Sequence, residues 1–172
     1  LTGAMQGALA VNIHLHDTYF IVGHFHYMMF GGVGFAFFAA LLYWYTKMFG
    51  RMYSFKAAYA AWPLMFIGFN VLYMGFMILG IMGMPRRYFD HLPQYHWLHV
   101  FSTVGSWVLV AGMLIFFANL IISLFKGKKA ADNPWGGVTL EWKTSSPPPL
   151  ENFSQPPHVP EHPYMFNPVS HR

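Results

Sequence analysis

Three long apolar runs, separated by two short polar breaks, lay out the chain. Ile21 to Tyr45, Ala57 to Gly80 and His96 to Phe125 each proceed without an Asp, Glu, Lys or Arg. Each is longer than the about 20 residues that a helix needs to cross the ~30 Å hydrocarbon core of a bilayer. The pattern predicts transmembrane helices over 21–45, 57–80 and 96–125, joined by loops at 46–56 and 81–95. Residues 1–20 hold an apolar stretch too short to span. They read as the end of a preceding helix and an outer loop, with Asp17 or Thr18 capping the first full span. From Lys126 to Arg172 proline, polar and isolated aromatic residues mix, with three prolines in a row at Pro147, Pro148 and Pro149. That composition predicts an extended tail with little secondary structure of its own. The expected fold class is an all-α integral membrane protein: three full transmembrane helices plus an extended proline-rich C-terminal tail.

Composition agrees. Of the 172 residues 55% are hydrophobic and only 9% charged, against about 25% charged in ordinary globular domains. There is no cysteine, which excludes disulfides, thiolate metal sites and cysteine nucleophiles. The net charge of +4 would point to nucleic acid if it formed a patch, but the basic residues flank apolar runs. They are topology signals. Lys47, Arg51 and Lys56 in one loop, and Lys126, Lys128 and Lys129 after the third run, assign both segments to the cytoplasmic or matrix side. Residues 1–20 and 81–95 then lie on the outer side. That leaves Arg86 and Arg87 on the face the rule disfavours, where an anionic partner would account for them.

The polar positions that change the picture most sit at the start of the first span, in His16-Asp17-Thr18-Tyr19-Phe20-Ile21-Val22-Gly23-His24-Phe25-His26-Tyr27. A histidine in a membrane span needs a partner. Successive helical residues are about 100° apart, so His24 and His26 are separated by about 200° and point to opposite flanks. They cannot share one metal ion, but they suit two separate centres, and neutral imidazole is a common axial ligand of haem iron. The competing reading is two packed histidines, each satisfied by a carbonyl or hydroxyl. Asn70, the strongly polar residue of the second run, fits helix–helix hydrogen bonding. Gly31, Gly32 and Gly34 allow close approach of a helix or a haem face. Met65, Met74, Met77 and Met82 read as soft packing, and His96 and His99 as interfacial residues rather than ligands.

HDTYFIVGHFHY closely resembles the entry to the tenth transmembrane helix of subunit I of the haem-copper terminal oxidases, the aa3-type cytochrome c oxidases and their quinol-oxidising relatives. Leu1-Thr2-Gly3 resembles the end of that family's preceding helix, Met84-Pro85-Arg86-Arg87-Tyr88 its PRR loop, and Asn133-Pro134-Trp135-Gly136 with Thr139-Leu140-Glu141-Trp142 the tail of bacterial members. The resemblance covers nearly the whole chain but about the last third of a typical subunit I, so a C-terminal fragment or one product of a split gene is expected.

The resemblance implies specific roles. His24 would be the proximal, catalytic ligand of the high-spin, oxygen-binding haem, and His26 an axial ligand of the low-spin haem. Phe25 would lie on the short route between the irons. Arg86 and Arg87 would bind haem propionates, and His16 with Asp17 a magnesium or manganese ion. Asn12 stands where family members commonly have an aspartate beside a propionate; an amide can hydrogen-bond a carboxylate but cannot hold a proton there.

The implied cofactors are two haems, of the haem a type, the divalent ion, and a copper held by a part of the subunit that this chain lacks. The implied activity is reduction of oxygen to water coupled to proton translocation, in a bacterial or mitochondrial inner membrane. It would require assembly with the N-terminal part of subunit I, with subunits II and III, membrane lipid, and cytochrome c or a quinol as donor. The copper ligands, the second low-spin ligand and the proton channels would all lie in that N-terminal part. Two rivals remain at this level: a membrane electron-transfer subunit that binds haem without oxygen chemistry, and a structural or transport subunit whose histidines are merely packed.

Overall fold

A computed structural model describes residues 1–157. Six α-helices account for most of them: α1 (Thr2–Gly7), α2 (Leu9–Leu15), α3 (Tyr19–His26), α4 (Phe35–Phe49), α5 (Phe55–Ile81) and α6 (His96–Lys126). Between α3 and α4, Tyr27–Gly34 is wound as a π-helix, so the chain from Tyr19 to Phe49 is one continuous helical rod. No β-strand occurs among the described residues; two isolated antiparallel bridges, Thr18 with Pro85 and Arg51 with Lys129, tie loops together.

Among the described residues three helices are long and apolar enough to cross a membrane: Tyr19–Phe49, Phe55–Ile81 and Pro93–Lys126, of 31, 27 and 34 residues. At 1.5 Å per residue they reach about 46, 40 and 51 Å, each exceeding the hydrocarbon core. The rods run past the apolar limits of the sequence because flanking polar residues extend helices beyond the hydrocarbon. Lys47 therefore lies on α4 rather than in a loop. The first twenty residues hold two short helices broken at Ala8, whose extended backbone (ψ 113°) separates α1 from α2. Past α6 the described part of the tail contains a single helical turn, Leu140–Lys143; its segment 158–172 lies outside the described residues.

Two compact units divide the chain, residues 1–38 with 55–118, and residues 39–54 with the chain from Asn119 onward. In the first unit, α3 packs closely on α5. Gly23 makes this possible, because a Cβ there would meet Met77 and the Tyr73 carbonyl; Gly80 does the same against Phe20. α5 and α6 approach through Gly68, Gly75, Gly105 and Gly112, whose missing side chains admit Leu109, Ser102, Leu72 and Met65 respectively. This is the small-residue packing common between membrane helices. Of the three glycines expected to allow close approach, Gly31 has Phe69 of α5 against it, whereas Gly32 faces nothing within 4 Å and Gly34 meets the ring of Phe30. Tyr27 donates to Oδ1 of Asn70 at 2.8 Å, and Asn70 donates back to the Phe66 carbonyl at 2.8 Å. That bond links α5 to the first residue of the π-helical turn. Met65 and Met77 are buried, while Met74 and Met82 are exposed.

In the second unit, a lysine is the organising residue. Lys47 is only 6% exposed, and its ammonium donates to the carbonyls of Asp132 (2.8 Å), Thr144 (2.7 Å) and Ser145 (3.2 Å). The Trp142 ring lies 5.2 Å from the same nitrogen. Trp135 and Trp142 donate their indole N–H to the carbonyl and hydroxyl of Tyr43, each at 2.9 Å. Asn119 and Ser54 exchange two hydrogen bonds, and Arg51 donates to the Gly127 carbonyl. Burial by itself raises the carboxyl pKa of half-buried Glu141, but hydrogen bonds involving Thr139, its own backbone and Trp44, with the charge of Lys47, outweigh it and hold the group below its ordinary value.

Candidate functional site

The site is built where the loop 16–18 meets the loop 84–87. Thr18 caps α3, its side-chain oxygen accepting from the Phe20 amide at 3.2 Å while its hydroxyl donates to the Leu15 carbonyl at 2.7 Å. Tyr19 N–H donates to the Met84 carbonyl and Arg86 N–H to the Asp17 carbonyl, at 3.0 and 2.9 Å. These bonds flank the Thr18–Pro85 bridge and lock the two loops together. Asp17 and Arg87 both adopt left-handed backbone, with φ of +55° and +69°. Asp tolerates that region because its short polar side chain bonds locally. The arrangement aims Asp17 at Arg86: Oδ1 lies 2.9 Å from Nε and 2.8 Å from Nη2. Asp17 Oδ2 is 3.4 Å from Nε2 of His16.

Above this clamp, α3 carries the histidines. Nδ1 of His24 is 2.9 Å from the Thr2 hydroxyl on α1, and a Cβ on Gly3 would come within 3.2 Å of the same ring. Nδ1 of His26 is 2.8 Å from the Val22 carbonyl, and its ring stacks on Tyr73 of α5 with centroids 4.4 Å apart. His24 thus faces α1 and His26 faces α5, the divergence demanded by a two-residue helical step. A carbonyl only accepts, so the contact puts a proton on Nδ1 of His26, and in the neutral ring that leaves the Nε2 lone pair to offer a metal. His24, bonded at Nδ1 to a hydroxyl, has its Nε2 clear of that bond. Phe25 stacks on His26 at 4.5 Å.

Asn12 lies on α2, with its backbone carbonyl accepting from His16 N–H. Arg87 is exposed and makes no hydrogen bond or ion pair among the described residues. His16 and Asp17, solvent-facing and 3.4 Å apart, approach the separation of two ligands each about 2.1 Å from one ion. Among the described residues no three His, Cys, Asp or Glu side chains converge on one point, so that pair would leave most of a cation's coordination to water or to other chains. Sequence reasoning did not find the Asp17–Arg86 pair. The residues are 69 positions apart, and nothing in either motif announces the partner.

Such geometry defines a class first: a multi-pass helical membrane protein whose first span presents two imidazoles on opposite flanks. The chain belongs to the Cytochrome C and Quinol oxidase polypeptide I family, whose model matches residues 1–108. It is 47% identical over 166 residues to cytochrome c oxidase subunit 1 of Synechocystis sp., covering 96% of this chain and 30% of that protein. To cytochrome c oxidase subunit 1 of Bacillus sp. strain PS3 it is 42% identical over 162 residues, 92% of this chain and 26% of the relative. A solved haem-copper terminal oxidase dimer shares 29% identity at a TM-score of 0.66, over 75% of this chain and 24% of the other. The chain therefore spans 30% or less of the length of these relatives.

Proposed function

We propose that this chain forms part of the catalytic subunit of a respiratory haem-copper oxidase that reduces oxygen to water and translocates protons. The observation that carries this reading is the divergence of His24 and His26, each held at Nδ1 and each facing a different helix. The residues fit two haems. Bound there, the haems supply the electron transfer and oxygen chemistry that these side chains cannot. His24 would hold the high-spin haem and His26 the low-spin one, with Phe25, the residue between the two ligands, stacked on His26. The Thr2 hydroxyl and the Val22 carbonyl orient the two rings.

Only 6% of the most apolar window of the first span is buried within this chain, against 44% for the second. A helix with such bare flanks needs lipid, flat cofactors or further helices against it. Arg87, with its whole fork of donors uncommitted among the described residues, and Arg86, with Nη1 still available beyond Asp17, bind haem propionates. Asn12 hydrogen-bonds a propionate without holding its proton. His16 and Asp17 hold a magnesium or manganese ion. The activity requires the N-terminal part of subunit I, which supplies the copper ligands, and subunits II and III. A cytochrome c or a quinol is the donor, and the complex sits in the bacterial or mitochondrial inner membrane.

The test is the reduced-minus-oxidised optical spectrum of the complex purified from native membranes, with and without carbon monoxide. Two haem populations, one of which binds carbon monoxide, are expected, and their band positions report whether the haem is of the a type. Absence of haem from the intact complex would sink the reading. Haem without any carbon monoxide binding would turn it into electron transfer alone.

A further inference from the structure

Past Arg87 the loop 82–95 and the start of α6 gather donor side chains that the haem reading does not use. The rings of His91 and His99 lie 4.4 Å apart, centroid to centroid, and His96 stacks nearly parallel to His91 at 5.8 Å. Nε2 of His99 is 3.1 Å from Sδ of Met84. Beside them opens a cleft of ≈ 430 Å³, lined in part by Met84, Asp90, His91 and Tyr95. Asp90 accepts a hydrogen bond from the His91 amide at 2.8 Å and so ties down the base of that histidine.

Met84 differs from the methionines that pack along the spans. It is buried with Leu79 and Tyr95, yet its sulfur faces an imidazole nitrogen. A nitrogen about 2.0 Å and a sulfur about 2.3 Å from one three-coordinate ion, at angles near 120°, lie about 3.7 Å apart, so the His99–Met84 contact opens by about 0.6 Å to admit the ion. A thioether with imidazoles is a soft donor set; it discriminates against magnesium and calcium and selects monovalent copper. No three His, Cys, Asp or Glu side chains converge among the described residues, which argues against a four-ligand zinc cage. Two imidazoles and one thioether suit a d¹⁰ monovalent ion, which accepts low coordination numbers.

We propose that Met84, His99 and His91 form a binding site for a soft monovalent cation of the copper(I) type, distinct from His24 and His26. His96 stacks on His91 and positions it. The competing account is a plain N–H···S hydrogen bond with no metal affinity.

Silver(I) is the probe, because it mimics copper(I) and has no background in a copper-containing complex. The purified complex containing the chain is titrated with silver(I) against a competing chelator, and bound silver is counted per polypeptide rather than per haem. Wild type is expected to bind one more silver ion than Met84→Leu, which keeps the side-chain volume but removes the sulfur. A change outside the ligand shell already weakens metal sites by about tenfold or more, so His91→Gln should weaken this one at least as much. His91 sits in a loop, and His91→Gln decides the matter if Met84→Leu disturbs assembly. Equal silver uptake by wild type and His91→Gln overturns the proposal, as does equal uptake by wild type and an assembled Met84→Leu complex.

Discussion

In the first unit, His24 and His26 each use Nδ1 on a neighbour, and Nε2 of neither ring makes a hydrogen bond among the described residues. In the second, Lys47 gives its ammonium to three carbonyls and a tryptophan face, and Trp135 and Trp142 give their N–H groups to one tyrosine. Both regions place polar groups where burial makes unpaired ones costly. One satisfies them internally; the other leaves selected atoms available. The second is a structural joint that seats the tail. The first carries the proposed haem ligands, and a hydrogen bond at Nδ1 orients each of its two histidines.

That contrast predicts the ranking of mutational effects. His24→Leu and His26→Leu should have the largest effect on function. Each should remove one haem population from the optical spectrum, with the carbon-monoxide-binding one lost in His24→Leu, and both should abolish oxygen uptake. Retention of both haems in either variant breaks the assignment. Lys47→Met should act on stability alone, by leaving buried carbonyls unpaired at a cost of roughly 1–3 kcal/mol. The expected readout is faster proteolysis of the tail, with an unchanged haem spectrum.

The Asp17–Arg86 contact lies at the surface, with 58% of the Asp17 side chain exposed, so Asp17→Asn should destabilise by no more than about 1 kcal/mol. Asparagine keeps the left-handed backbone, and the variant should instead weaken manganese binding as followed by electron paramagnetic resonance. Asp17→Val adds backbone strain of about 1–3 kcal/mol.

The smallest effect concerns Glu141. Its lowered folded-state pKa contributes stability that is present above its unfolded value and lost as pH falls through the folded value. Tail proteolysis should accelerate in that acidic window, and Glu141→Gln should remove this pH dependence without changing the haem spectrum.

Much of the first region is legible in sequence. The helical step puts His24 and His26 on opposite flanks before any coordinates are seen, and Thr18 caps α3 as its residue type allows. Asn70 makes the helix-to-helix hydrogen bond expected of a lone amide in a span. Arg86 is only partly legible. Charge counting yields only the expectation that it lies on the outer side, and its hold on Asp17 depends on loops 69 residues apart. The second region was largely hidden. Lys47 reads as an ordinary positive-inside charge, because nothing local to it shows that carbonyls from 132 to 145 will close over it. Met84 opens the Met84-Pro85-Arg86-Arg87-Tyr88 loop and His99 reads as an interfacial residue, and nothing in either segment announces the other.

Local geometry and solvent preference were enough for the sequence alone to decide three apolar spans and the divergence of the two histidines on the first. These follow from the 3.6-residue turn and the exclusion of charge from hydrocarbon, which operate over a few residues. The tertiary structure decided the Asp17–Arg86 clamp, the carbonyl cage around Lys47, the π-helical turn pinned by Tyr27 and Asn70, and the meeting of Met84 with His99. Each depends on packing between segments distant in the chain, and periodicity carries no information about which distant segments will meet.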